Sequence, residues 1–216
     1  MALIDTHCHL DAAEFDADRE TVIQEALNND IQMMVVPAVH RSNFSAVTEI
    51  AQAHSCCTHA LGIHPMYVAT SSLEDLEFLA QEVSRQIKSN HPLVAIGEIG
   101  LDFFIADYDK ELQEHYFVEQ LKIAKQYDLP VILHVRRSQD AILKALRKRK
   151  VPGGIAHAFN GSHQQAEQFI ELGFKLGFGG AATYERALQI RRLLRELPLE
   201  CILTETDAPD IPPAWL

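Results

Sequence analysis

The chain has 216 residues, 47% of them apolar, and a formal net charge of −11. That length suits one mid-sized domain with a full core, and the acidity argues against a broad, sequence-independent grip on nucleic acid, because phosphate binding rests on Lys and Arg. No apolar run approaches the roughly 18 residues of a membrane span, no basic and apolar leader opens the chain, and Cys8, Cys56, Cys57 and Cys201 show neither CxxC pairing nor a disulfide framework; a cytoplasmic chain with free thiols and no membrane partner is expected.

Short apolar or β-branched runs alternate with longer amphipathic stretches. The first run, Ala2–Asp5, leads into His7 and His9. A helix is expected over Asp18–Leu27, where Val22, Ile23, Ala26 and Leu27 fall at helical spacing. Met33–Pro37 is the second strand, and His59–Ile63, the third, enters His64. Leu93–Gly97 is the fourth, followed by Glu98 and Asp102. A helix over Glu111–Tyr127 carries Leu112, Tyr116, Leu121 and Ala124 on one stripe. Val131–His134 is the fifth strand, and Ser138 is a suitable N-cap for a helix over Ser138–Arg147. Gly154–His157 precedes a helix over Ser162–Leu172, with Gly173 placed to cap its C-terminus. Lys175–Phe178 and Cys201–Thr204 complete eight strands, the last leading into Glu205 and Asp207.

Eight strands separated by seven helical segments imply a parallel sheet with right-handed crossovers. The pattern fits a closed (β/α)8 barrel or an open doubly wound sheet, and periodicity does not separate them. No Gly-, Ser- or Pro-rich linker divides residues 1–216, so a single domain is expected. The tail Asp207–Leu216 is rich in proline and has no helical stripe, which leaves no room for an eighth helix.

In a parallel barrel the active site lies at the C-terminal ends of the strands. Those ends carry His7, His9, His64, Glu98, Asp102, His134, His157, Glu205 and Asp207. Residues two apart on a strand share a face. His7 and His9 are therefore expected to point together into the mouth, with Asp5 one layer deeper and Cys8 turned toward the helices. Val94, Ile96 and Glu98 are expected to share a face, as are Glu205 and Asp207. A lone histidine at a strand end is more often a hydrogen-bonded structural residue, and a carboxylate there is often an N-cap. Neither reading explains the whole set. Buried charges without partners are costly, and a metal ion is the one partner that reconciles them all.

The stretches IDTHCHLD, LGIHP, AIGEIGLDFF, PVILHVRRS, GIAHAFNGS and TETDAP stand in this order along nearly the whole chain. Together they resemble the TatD family of metal-dependent hydrolases, described as DNases, within the amidohydrolase-like barrels. The resemblance implies the (β/α)8 TIM-type barrel rather than the open sheet. It implies that His7 and His9 bind one metal, that Glu98 bridges two metals, that His134 and His157 bind the second, and that Asp207 lies beside the first. It further places His64 near a substrate phosphate and Glu205 behind the ligands. Family members continue some tens of residues past TETDAP, so the expected barrel lacks its final helix.

The implied reaction is cleavage of DNA phosphodiester bonds, exonucleolytic, through a metal-activated water, with Glu98 and Asp207 catalytic and Asp207 accepting or orienting the proton. Asp5 is placed either to hydrogen-bond a ligand imidazole or to be turned away from it by a local twist. Imidazole-rich ligation suits Zn, Mn, Fe or Ni better than Mg; the resemblance implies two divalent ions and Mg-supported activity, so Mg or Mn is expected to support activity, with Zn, Ni or Fe as bound alternatives. Arg136 and Arg137 lie just past His134 and are candidates for a DNA phosphate; Lys144 and Arg147–Lys150 read as a solvated helix face. DNA is the expected partner, with no obligate protein partner. An amide or ester hydrolase on the same dinuclear site, for example one cleaving an aminoacyl ester, is the alternative, and the acidic net charge favours it mildly. A non-catalytic binding protein is the third class.

Overall fold

A computed structural model describes residues 2–89 and 91–216. Eight strands, β1 (Leu3–Asp5), β2 (Ile31–Pro37), β3 (Cys57–Leu61), β4 (Leu93–Asp102), β5 (Val131–Arg136), β6 (Gly154–Ala156), β7 (Phe174–Phe178) and β8 (Ile202–Thr204), pair in sequence order, every pair parallel. Seven helices alternate with them: α1 (Arg19–Asn28), α2 (Phe44–Ala53), α3 (Leu73–Lys88), α4 (Lys110–Gln126), α5 (Gln139–Lys148), α6 (His163–Glu171) and α7 (Leu188–Glu196). The sheet closes on itself through threonines. Thr6 donates to the Thr204 carbonyl from both its backbone N (3.1 Å) and its Oγ1 (3.0 Å), and Thr204 Oγ1 donates to the Ile4 carbonyl (3.1 Å). This is the (β/α)8 barrel, and the open sheet is set aside. Among the described residues no helix is long and apolar enough to cross a membrane.

Most of the core lies between sheet and helices, with Phe117, Leu121, Leu133, Ile142, Phe159 and Phe169 fully buried there. A separate small cluster of Ala60, Ala95 and Ile132, packed against Val35, fills the barrel interior beneath the mouth. Small alanines interleaved with branched side chains fill the narrow strand-lined space.

The expected shared face of Val94, Ile96 and Glu98 is corrected by β4. Val94 is exposed, Ile96 joins the outer core, and it is Ala95 that faces the interior. The register against β5 shifts between Ile96 and Ile99. A bulge of this kind resets alternation and re-aims a side chain, and here it turns Glu98 into the mouth.

The N-caps divide. Ser162 Oγ accepts from Gln165 N (3.1 Å) and the Gln165 side chain returns the bond, a reciprocal cap. Ser138 precedes α5 but does not cap it; its hydroxyl donates instead to the Leu101 carbonyl (2.6 Å). Gly173 has φ 86°, a left-handed conformation that glycine adopts without strain after a helix end.

Helix α4 buries two glutamines along with its apolar stripe. Gln120 brackets the backbone of Ile63, next to His64, accepting from its N (2.7 Å) and donating to its carbonyl (3.0 Å). Gln113 does the same for Asp102, at 2.8 and 3.1 Å. Each amide pairs a buried backbone segment at or just past a strand end, where the third and fourth strands deliver their polar residues. Past Thr204 no helix follows among the described residues, and Ile4 on β1 is 48% exposed.

Candidate metal centre

The strand ends converge on Glu98. Its Oε2 lies 3.2 Å from His7 Nε2 and 3.7 Å from His9 Nε2. Its Oε1 lies 2.9 Å from His134 Nδ1, 2.9 Å from His157 Nε2 and 3.3 Å from His64 Nε2. Asp207 Oδ1 faces the first pair, 3.4 Å from His7 Nε2 and 3.5 Å from His9 Nε2. All six residues expected to ligate metal are therefore together: His7, His9, Glu98, His134, His157 and Asp207. His64 stands inside this cluster and not at its rim.

Local backbone explains the aim. His7 and His9 lie beyond the end of β1, yet their spacing of two still brings both Nε2 atoms to one spot, 3.2 Å apart. Asp207 N donates to the His7 carbonyl (2.9 Å) and His9 N to the Ala208 carbonyl (2.8 Å), so the first and last strand ends are strapped together. Asp207 has φ 59°. A non-glycine residue in that region marks a conformation imposed by its surroundings.

A divalent cation fits this donor set. Two ring nitrogens face each other with carboxylate oxygens on either side, and three groups (His7, His9 and Glu98; His7, His157 and Asp207; His64, Glu98 and His134) each offer one ligand atom within 4.8 Å of the others. The Nε2 atoms of His7 and His157 turn toward Glu98, while their Nδ1 atoms, on the far sides of the rings, are buried without a hydrogen-bond partner. Such orphans are rare in native interiors.

Electrostatics agree. Burial resists the charge on Glu98, but His157, His64 and His7 hold its carboxyl well below the usual range. Burial, reinforced by the His157 charge, drives the His7 imidazole down to about 4. Burial also opposes charge on His157, yet the Glu98 carboxylate lifts it to about 10. Glu98 thus holds a proton on His157 while His7 stays neutral, and a cation would take the place of that proton and release it. Asp207 is resisted by burial too, but its bond from His9 and the His157 charge keep its carboxyl below the ordinary value.

The supporting residues differ in what they hold. Of the two positions open to Asp5, the structure takes the one turned away from the imidazoles: it accepts from His7 N (3.2 Å), Thr206 N (3.0 Å) and Thr206 Oγ1 (2.6 Å), fixing the backbone of both strapped ends, and the contact to a ligand imidazole is not made. Glu205 accepts from Ala158 N (2.5 Å) and lies 3.9 Å from His157 Nδ1, and burial pushes its carboxyl up to about 7. Asp102 was given no role by sequence reasoning. It is fully buried and accepts from His134 Nε2 (3.0 Å), Phe104 N (2.8 Å) and Ile105 N (3.3 Å). Its signal was its distance of four from Glu98 on one strand. A ligand imidazole commonly gives its second N–H to such a carboxylate, which sets the ring's tautomer and angle. Arg136 Nη1 approaches Asp102 Oδ2 at 3.8 Å from the exposed rim.

The comparisons with known proteins converge. The family model described as "TatD related DNase" matches residues 4–215. The metal-dependent hydrolase YjjV of Escherichia coli K12 is 44% identical over 210 residues, spanning 97% of this chain and 80% of that protein. Its crystal structure aligns at a TM-score of 0.93, covering 98% of this chain and 81% of its own. A mouse protein provisionally named a deoxyribonuclease is 29% identical over 227 residues, spanning 100% of this chain and 76% of that protein. By family model, identity and fold, the chain belongs to the TatD-related family of metal-dependent hydrolases.

Proposed function

We propose that this chain hydrolyses phosphodiester bonds of DNA, working from strand ends, with two divalent ions held around Glu98. The observation that carries the reading is the division of Glu98: one oxygen serves His7 and His9, the other serves His134, His157 and His64. A carboxylate with a separate donor set on each oxygen is suited to joining two cations. His7, His9 and Asp207 would hold one and His134 and His157 the other. When bound, such ions lower the pKa of a water from about 16 toward 7 and neutralise charge on phosphate oxygens. Mg or Mn is proposed for activity, with Zn, Ni or Fe also suited to the imidazoles.

The chain's own groups supply the rest. Asp207 is ionised at neutral pH and can take the attacking water's proton at a carboxylate oxygen. His64, buried beside Glu98, can donate to a non-bridging phosphate oxygen. Arg136 at the rim meets the phosphate before it enters. A net charge of −11 repels a long strand from the body of the protein, which favours engagement of an end at the mouth.

Degradation of an end-labelled oligonucleotide with Mg, with Mn and with chelator tests this, with His134→Ala as control. Loss of label with metal, abolished by chelator and by the substitution, supports it. No degradation with any metal, alongside turnover of an amide, lactone or aminoacyl ester, replaces it with the second reading.

A further inference from the structure

Beyond the metal centre, the ring of Phe104 carries two cations. The Arg136 guanidinium carbon lies 3.9 Å from the ring centroid and that of Arg137 4.5 Å from it. Phe104 is 47% exposed and both arginines are exposed. The Arg137 guanidinium has no ion pair or hydrogen bond among the described residues, and the Arg136 guanidinium has only the 3.8 Å ion pair with Asp102, too long for a hydrogen bond. In a chain with 30 acidic and 19 basic residues, two adjacent guanidiniums that share a single carboxylate at 3.8 Å are an unusual arrangement. Arg137 also has φ 54°, a left-handed conformation that strains a bulky residue. Like charges are thus brought together, Arg137 on strained backbone, with Asp102 at 3.8 Å from Arg136 as their one carboxylate among the described residues.

We propose that Phe104, Arg136 and Arg137 form a clamp for a second phosphate, the one next to the scissile bond of the bound strand; this rests on the phosphodiesterase reading. A guanidinium lying on an aromatic ring keeps its N–H edge free, and the edge matches phosphate oxygens. Pinning two such groups in advance lowers the ordering cost of binding. The clamp is tied to the chemistry through Asp102, whose Oδ2 faces Arg136 and accepts from the His134 ring, while its Oδ1 accepts from Phe104 N. The substrate class that follows is a single strand with at least two consecutive phosphates, held by its backbone without reading the bases.

The test is fluorescence anisotropy with a labelled, cleavage-resistant phosphorothioate single strand across about 50–200 mM salt. Arg137→Ala should weaken binding about 5–10-fold and reduce the slope of log affinity against log salt by about 0.7, one phosphate's share for a single strand. Arg137→Lys should keep the slope. Phe104→Leu should weaken binding about 2–5-fold, and Phe104→Tyr, which keeps the ring, should restore it. Wild-type slope and affinity in Arg137→Ala overturn the clamp, and so does a Phe104→Tyr protein as weak as Phe104→Leu. Wild-type turnover of bis-para-nitrophenyl phosphate, which has a diester but no second phosphate, tests the hydrolase reading separately. No turnover with the binding pattern intact sinks that reading and supports the clamp as a strand-binding site; turnover with unaltered variant binding sinks the clamp alone.

Discussion

Two buried imidazoles, His59 and His157, have opposite fates. His59 lies on β3 in the outer layer, where Gln86 Oε1 of α3 is 2.6 Å from its Nε2 and Thr48 Oγ1 of α2 is 3.3 Å away. Its direct hydrogen-bond partners are neutral, so burial prevails and its pKa falls below the ordinary 6.5. His157 lies just past β6 in the mouth, with Glu98 Oε1 at 2.9 Å and Glu205 Oε1 at 3.9 Å, and its pKa climbs to about 10. Burial is common to both. What distinguishes a structural histidine from a candidate ligand is the set of carboxylates that share its space.

That contrast breaks most severely at Glu98. Glu98→Gln keeps the shape and removes the charge uniting both donor sets, which should strip bound divalent metal and cost several kcal/mol of catalysis, about a 10³-fold fall in rate. Metal content by mass spectrometry and rates on a diester check this, and a variant that keeps wild-type metal would falsify the role given to Glu98. Next in size is Asp102→Asn, which loosens the His134 ring without touching the other ligands. Metal affinity should drop about 10–100-fold, read by competition with a coloured chelator; unchanged affinity would mean that Asp102 serves only the backbone of Phe104 and Ile105.

A smaller effect belongs to the other side of the comparison. His59→Leu leaves Gln86 and Thr48 short of a partner and should destabilise the fold by about 1–3 kcal/mol in urea. Metal content should not change, and a drop in it would tie the outer layer to the mouth. The smallest effects are on pH. His59 binds its proton more weakly folded than unfolded, so below pH 6.5 the unfolded chain takes up more protons and stability falls as pH falls. His157 in chelator-treated protein has the reverse sign: its contribution is full below pH 6.5 and is lost as pH rises through about 10. Urea midpoints across pH should show His59→Leu flattening the acid limb and His157→Gln the alkaline one. The opposite assignment of limbs would invert the comparison.

Much of this was legible in the residues. The pair His7 and His9, the carboxylates Glu98 and Asp207, and the histidines closing the fifth and sixth strands all stand directly after apolar runs, and the structure brings them together. Strand positions were readable because a period of two is local. The exceptions have a common cause. Glu98 reaches the mouth through a register shift that no alternation predicts. Asp5 is turned to backbone by its pairing with Thr206, 201 positions away. Gln113 and Gln120 read as interruptions of an apolar stripe until the strand ends they serve are in place.

The sequence by itself determined the alternation of strands and helices and the kinds of polar atom delivered at each strand end, since both follow from neighbours along the chain. Only the tertiary structure decided which oxygen of Glu98 serves which imidazoles, that Asp102 backs His134, and that Phe104 gathers two guanidiniums. Those choices depend on closure of the barrel between Thr6 and Thr204, 198 positions apart. Distances between atoms on different strands are fixed by that closure and by the twist and register it imposes, which no local pattern encodes.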